Sequence, residues 1–238
     1  MGSLLLLFLG LSVIAFWPVT LSAGSMPGSG LAGSVHDFNA EKWRPYDGVT
    51  VIGACTICHA PHRASRTRLL WNHTIPPGDT FVFGPEEPAT NGGTPLPTIS
   101  PGYKGPTSMC LSCHDGSVAI GDVNWYDGNA RTGSSAVIKE TQGRIGYHHP
   151  VAVPYPFQGM RNSYNSVTTG PDVDLSKFVA DPRAAGARLF RDVSGDILAG
   201  AATGASGIEC SSCHDPHNGS SVNEGPLLRA RCEACHIQ

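Results

Sequence analysis

The clearest apolar pattern lies at the start of the chain, where Leu4 to Ala15 form a nearly unbroken apolar run. This run, with Pro18 and the small residues at 22–24 after it, predicts a signal peptide over residues 1–23 that is cleaved on export. No Lys or Arg precedes the run, so an uncleaved membrane anchor is the alternative, because about 20 apolar residues can span a bilayer. We therefore expect an exported protein, extracellular or on the cell surface, with the periplasm as the alternative.

Beyond this run the apolar stretches are short and are separated by turn-forming residues. Residues 24–54 read as an N-terminal arm, and residues 24–238 as one domain that includes this arm. Residues 75–105 are rich in Pro and Gly, which predicts coil. Four runs have the pattern of short strands: Ser117–Val123, Ala136–Lys139, Arg144–Val153 and Arg188–Val193.

The composition supports a loop-rich fold. Gly (29) and Pro (19) make up about a fifth of the 238 residues, whereas an average protein has about 12%. A chain of this kind usually needs disulfides, a metal or a covalent cofactor to replace missing core. The predicted fold class is therefore mostly irregular, with short helices and a few short strands, around a non-protein core.

The charge of the chain argues against two classes of partner. The formal net charge is −3, so the chain lacks the basic footprint of a nucleic-acid-binding protein. It also has no basic amphipathic stretch of the kind that binds membrane surfaces.

All eight cysteines fall in pairs with the same spacing, and a histidine follows every pair. The four motifs are Cys55-Thr-Ile-Cys58-His59, Cys110-Leu-Ser-Cys113-His114, Cys210-Ser-Ser-Cys213-His214 and Cys232-Glu-Ala-Cys235-His236. Two thiols on one helical turn can each add to a vinyl group of the same haem, and the next histidine can bind the iron. We expect a short helical turn at each motif.

Disulfides and zinc sites are the alternatives to covalent haem. A Cys-x-x-Cys disulfide closes a short, strained loop and stabilises little, whereas paired Cys-x-x-Cys units can bind zinc. Neither explains the histidine, which by composition would follow four unrelated pairs roughly three times in a million. The motifs therefore predict four covalently attached haem c groups, whose large apolar surfaces would supply the core.

The remaining histidines provide candidates for the second axial ligand of each iron. Methionine is the usual competitor, and only Met160 lies clear of the signal region and the motifs, so bis-histidine ligation is favoured. His62 and His217 follow motif histidines too closely to bind the same iron, so each should bind a neighbouring haem. His149 is preferred over His148 because Pro150 biases its backbone to extended structure. His36, His62, His73, His148, His149 and His217 are the six candidates.

Several segments together carry a resemblance to a known family. They are His36-Asp37-Phe38, Cys58-His59-Ala60-Pro61-His62, Leu70-Trp71-Asn72, the run 110–119, His149-Pro150 and Cys210–His217. With them the sequence resembles a widespread family of tetrahaem c-type cytochromes with doubled Cys-x-x-Cys-His motifs. The resemblance implies that the distal ligands are His36, His62, His149 and His217, with His73 and His148 as spares.

Some members of this family are similar to subunits of extracellular cytochrome filaments, or nanowires. The resemblance implies a homopolymer in which one haem receives its sixth ligand from the next subunit. His36 is the best candidate for that ligand because it lies on a Gly/Ser-rich arm that can reach beyond its own subunit. The alternative is that His36 binds a haem of its own chain.

The function expected from these features is electron transfer through closely spaced haems, either to redox partner proteins or to an extracellular acceptor. We expect a filament subunit first, and a monomeric periplasmic electron shuttle or the electron-input subunit of a larger reductase is the alternative. An enzyme is disfavoured because substrate reduction needs an iron with an open position, and six spare histidines are available to close it.

Overall fold

The computed structural model describes residues 30–31, 34, 36–37, 55–60, 62, 68–73, 88–99, 102–114, 149–217 and 227–237. Two α-helices lie in these ranges, α1 (Thr107–His114) and α2 (Cys210–Cys213), and each contains a Cys-x-x-Cys pair. Short 3-10 turns are Arg68–Leu70, Phe157–Gly159, Leu175–Lys177, Pro182–Ala185 and Cys232–Ala234. The strands are β1 (Val153–Pro154), β2 (Ser163–Tyr164), β3 (Val167–Thr168), β4 (Phe190–Val193), β5 (Asp196–Ala199) and β6 (Ser206–Ile208).

Four of the strands form one antiparallel sheet in the order β1-β6-β4-β5. Strand β6 is central, and Gly207 is paired with Pro154 on one side and with Phe190 on the other. Only Glu209 separates the end of β6 from the start of α2. The sheet therefore fixes the position at which the third Cys-x-x-Cys-His motif begins.

Two hairpins have two-residue loops with positive φ at both loop positions, as type I′ turns require. Ser194 (φ 53°) and Gly195 (φ 87°) connect β4 to β5, and Asn165 (φ 50°) and Ser166 (φ 61°) connect β2 to β3. The twist of such turns matches the twist of the strands that they join, so the register of both hairpins is set locally.

The apolar core is divided into small clusters. The largest joins residues of α1, the sheet and the loops around them: Ile99, Tyr103, Leu111, Ala152, Tyr164, Phe190 and Ile197. A second contains Tyr155, Phe157 and Leu189, with Phe178 and Cys235 packed against it. Each cluster contains or contacts a residue of a Cys-x-x-Cys-His motif, so the packing that holds the sheet together also holds motif segments.

The expected mixture of few, short helices and some antiparallel strands is confirmed in the described residues. Strand β4 lies within the predicted run Arg188–Val193, whereas of the predicted run Arg144–Val153 only Val153, among residues 149–153, is in a strand. The runs Ser117–Val123 and Ala136–Lys139 lie outside the described residues, as do residues 1–23. Strands β2, β3, β5 and β6 were not predicted. No helix within the described parts of the chain has both the length and the apolar character that crossing a bilayer requires.

Candidate functional site

Three of the four motif histidines form an isolated antiparallel bridge with a distant segment. His59 pairs with Trp71, His214 with Leu228, and His236 with Phe178. The backbone around each bridge is hydrogen-bonded as well, for example from Arg229 N–H to the Cys213 carbonyl (2.7 Å). The fourth, His114, ends α1. Each motif histidine is therefore held by backbone structure rather than by its side chain alone.

Three motif histidines have a second histidine ring close by, and in each case that ring belongs to a predicted distal ligand. The ring centroids are 5.9 Å apart for His36 and His114, 6.1 Å for His59 and His217, and 6.2 Å for His149 and His236. A metal ion binds an imidazole nitrogen at about 2.0 Å, so an ion between two opposed imidazoles separates their centroids by roughly 6 Å. The three separations fit that arrangement.

In two of these histidines, a hydrogen bond at Nδ1 leaves the ring nitrogen Nε2 available. His59 Nδ1 lies 2.6 Å from the Leu69 carbonyl oxygen, and His149 Nδ1 lies 2.8 Å from the Pro150 carbonyl oxygen. A carbonyl can only accept, so Nδ1 carries the proton and Nε2 keeps its lone pair. A backbone carbonyl that fixes the tautomer in this way is the usual companion of a metal-binding histidine.

The environment also keeps two of these imidazoles neutral, which is the form that binds metal. Burial and the nearby His114 together lower the pKa of His36 to about 4, although a hydrogen bond to the Pro216 backbone opposes the shift. Burial and the proximity of His149 lower the pKa of His236. Both rings are therefore uncharged at neutral pH.

The other candidates from the sequence are placed differently. His62 is exposed and belongs to none of the histidine ring pairs in the described residues. His73 is fully buried, Met160 is half exposed, and His148 lies outside the described residues. Asn72 is also fully buried and donates from Nδ2 to the Thr56 carbonyl (2.5 Å). The Asn72 side chain thus holds the backbone of the first motif in place. The residue also begins the sequence Asn72-His73-Thr74, which has the pattern of an N-glycosylation site.

The eight cysteines form no disulfides. The second and third motifs approach each other, and the nearby Cys210 thiol raises the pKa of Cys110. Burial raises the pKa of Cys58 to about 12 and that of Cys235 to about 11. No group of three or more His, Cys, Asp and Glu side chains in the described ranges converges as a metal site. A haem iron takes only two protein ligands, so the donor set of paired imidazoles beside thiol pairs fits haem c.

A buried carboxyl group lies between the second and third motifs and was not predicted from the sequence. Glu209 is 2% exposed, and its Oε1 accepts from the Tyr103 hydroxyl and from the Tyr164 hydroxyl (2.5 Å). Its Oε2 accepts from the Thr107 backbone N–H (3.0 Å). Burial raises the pKa of Glu209, although its hydrogen-bond donors oppose this. A lone Glu before a cysteine pair gives no sequence signal for such a cluster.

Comparison with models of known protein families gives no match for this chain, and comparison with curated proteins gives none either. The features of this chain that indicate a function are therefore its motifs and the geometry of its described residues.

Proposed function

We propose that this protein is an electron-transfer protein that carries four covalently attached c-type haems. The observation that carries the proposal is the pairing of three motif histidines with His36, His149 and His217 at nearly equal ring separations. The three pairs come from widely separated parts of the sequence, so local chain geometry does not explain them. When bound, the haems supply one-electron oxidation and reduction.

The protein residues have distinct roles in this proposal. The cysteine thiols of each motif would attach the cofactor, and the motif histidine would bind its iron. His36, His149 and His217 would supply the second histidine ligand at the second, fourth and first motifs, respectively. The carbonyls of Leu69 and Pro150 orient two of the imidazoles through Nδ1. His62 remains a candidate from the resemblance alone.

We propose no catalytic residue. Two imidazoles at each of three irons, with His62 as the candidate second ligand of the fourth, would leave no position for a substrate, which favours electron transfer over substrate reduction. Carbon monoxide binding to the reduced protein tests this point. A stoichiometric carbon monoxide complex would contradict it, whereas an unchanged spectrum is expected.

The described geometry supports ligation by His36 within its own chain. Its ring lies against His114 of the same chain, whereas the filament expected from the resemblance requires His36 to reach another subunit. We therefore propose a complete electron-transfer unit in a single exported chain, with redox proteins or an extracellular acceptor as its partners. Electron microscopy of material from the cell surface and from the periplasm tests this: compact single subunits are expected, and filaments with His36 bridging subunits would overturn the assignment.

The central experiment counts the haems and assigns their ligands. The protein is produced in a host with c-type haem maturation, and mass spectrometry with haem absorbance gives the number of covalent haems, expected to be four. His36→Ala should convert one haem from low to high spin in the electron paramagnetic resonance spectrum and leave a soluble monomer. Met160→Leu is the control, because Met160 is exposed and should leave all haems low-spin. A chain without covalent haem would overturn the proposal.

A further inference from the structure

The N-termini of the helices that carry the second and third motifs cap each other. Helix α1 begins at Thr107, whose backbone N–H donates to Glu209 Oε2 (3.0 Å). Helix α2 begins at Cys210, whose backbone N–H donates to the Thr107 hydroxyl (3.1 Å). The first N–H groups of a helix have no partner within the helix. Here the first N–H group of each helix finds its hydrogen-bond acceptor in a side chain at the start of the other helix.

The Glu209 carboxylate also joins elements outside the two helices. Tyr103 precedes α1 and Tyr164 lies on β2, and both hydroxyls donate to the same carboxylate oxygen. Ser212 Oγ accepts from the Glu209 backbone N–H (2.9 Å), so the residue is fixed at its backbone too. Because the rings of Tyr103 and Tyr164 belong to the main core cluster, the carboxylate cannot move without moving that core.

Glu209 lies beside the cysteines of both motifs. It is covalently next to Cys210, and the side chains of Cys110 and Cys210 are near enough for each to shift the pKa of the other. Two cofactors attached at these thiols would have neighbouring edges. Their separation and relative orientation would then depend on how α1 sits against α2.

We propose that Glu209 is a positioning residue that fixes the haem motif of α1 against the haem motif of α2. The inference rests on the proposed function, since it assumes that both motifs carry haem. A buried carboxylate that satisfies donors from three segments costs desolvation, so hydrophobic packing would stabilise the same site more simply. What the carboxylate adds is directional contact with both helices at once.

The test compares variants of Glu209 in the haem-loaded full chain. Coupling between neighbouring haems splits the Soret circular dichroism band, and the splitting depends on their distance and orientation. Glu209→Asp withdraws the carboxylate by one methylene and Glu209→Ala removes it, so both should lose amplitude in the split signal. Glu209→Gln keeps the length and an acceptor and should restore the native signal.

A control separates positioning from general destabilisation. Leu189→Val removes one methylene from the second core cluster and should lower the unfolding midpoint while it leaves the Soret signal unchanged. If Glu209→Asp and Glu209→Ala lower the midpoint but keep the native signal, Glu209 only stabilises the fold and the proposal is overturned.

A second set of variants applies if the Glu209 variants do not mature. Tyr103→Phe combined with Tyr164→Phe removes two donors and keeps both rings in the core. The double variant should lose split-signal amplitude in the same direction, and an unchanged signal would overturn the positioning role. Haem content distinguishes the two levels of failure: a native chain without covalent haem contradicts the proposed function, whereas four haems with an unaffected signal contradict only the role of Glu209.

Discussion

Gly207 provides a sharp test of how the core supports the Glu209 cluster. A Cβ added at this position would overlap the Cγ and Cδ carbons of the Tyr164 ring. The backbone cannot withdraw, because Gly207 is paired with strands on both sides. The Tyr164 ring is fully buried and its hydroxyl is bound to Glu209. Gly207→Ala must therefore displace the ring and break its hydrogen bond.

Two contributions give the expected cost. Overpacking of a core position destabilises by about 1–3 kcal/mol, and a buried hydrogen-bond partner left unpaired adds about 1–3 kcal/mol. We expect Gly207→Ala to lower the free energy of unfolding by about 2–6 kcal/mol, a large part of the 5–15 kcal/mol or so that is typical of a whole domain.

Denaturant unfolding followed by far-ultraviolet circular dichroism measures this cost. In the Tyr164→Ala background the overlap is gone, so Gly207→Ala should be neutral there, or stabilising by about 0.5–1 kcal/mol because alanine restricts the unfolded chain. The two substitutions should thus show strong coupling. Equal costs of Gly207→Ala in both backgrounds would refute the overlap as the cause.

Other residues give further tests. Burial raises the pKa of Glu209, so the native state holds its proton at a pH where the unfolded chain has released it. The free energy of unfolding should therefore fall as pH rises from the ordinary glutamate pKa to the raised one; Glu209→Gln should remove this slope in denaturant midpoints measured across pH, and an unchanged slope would assign it to another group. Asn72→Ala leaves the Thr56 carbonyl without its side-chain donor and should lower the free energy of unfolding by about 1–3 kcal/mol, measured by denaturant unfolding. Asp196→Ala is the control: it removes an exposed ion pair with Lys104 and should lower the free energy of unfolding by less than about 1 kcal/mol. Asn72 should also remain unmodified in a glycosylating host by mass spectrometry, and a glycan there would show that its burial is not maintained.

The sequence predicts those elements whose cause is local. The spacing of each cysteine pair predicts a helical turn, and the second, third and fourth motifs lie in α1, α2 and the turn Cys232–Ala234. Strand β4 has enough apolar residues to be recognised, whereas β6 is Ser-Gly-Ile and carries no strand pattern of its own. It is a strand because β1 and β4 pair with it on both sides.

In the candidate site too, some features could be predicted from the local sequence and others depend on tertiary contacts. Histidines are rare enough to be predicted as ligands from the sequence, although the spacing does not tell which histidine ring lies beside which motif. The Glu209 cluster could not be predicted, because its partners Tyr103 and Thr107 are 106 and 102 positions away. Such contacts depend on tertiary approach, for which one acidic residue and two tyrosines leave no pattern in the sequence.

The distance along the chain between paired histidines has a consequence for the order of assembly. His59 belongs to the first motif to leave the ribosome, but His217, whose ring lies beside it, comes more than half the chain later. In the proposed haem protein, the first motif would therefore lack the second histidine of its pair until nearly all of the polypeptide had emerged. Closing so long a loop is slow compared with local folding. The histidine pair of the first motif would thus be completed only shortly before that of the fourth, whose cysteines and histidine follow His217 in the chain.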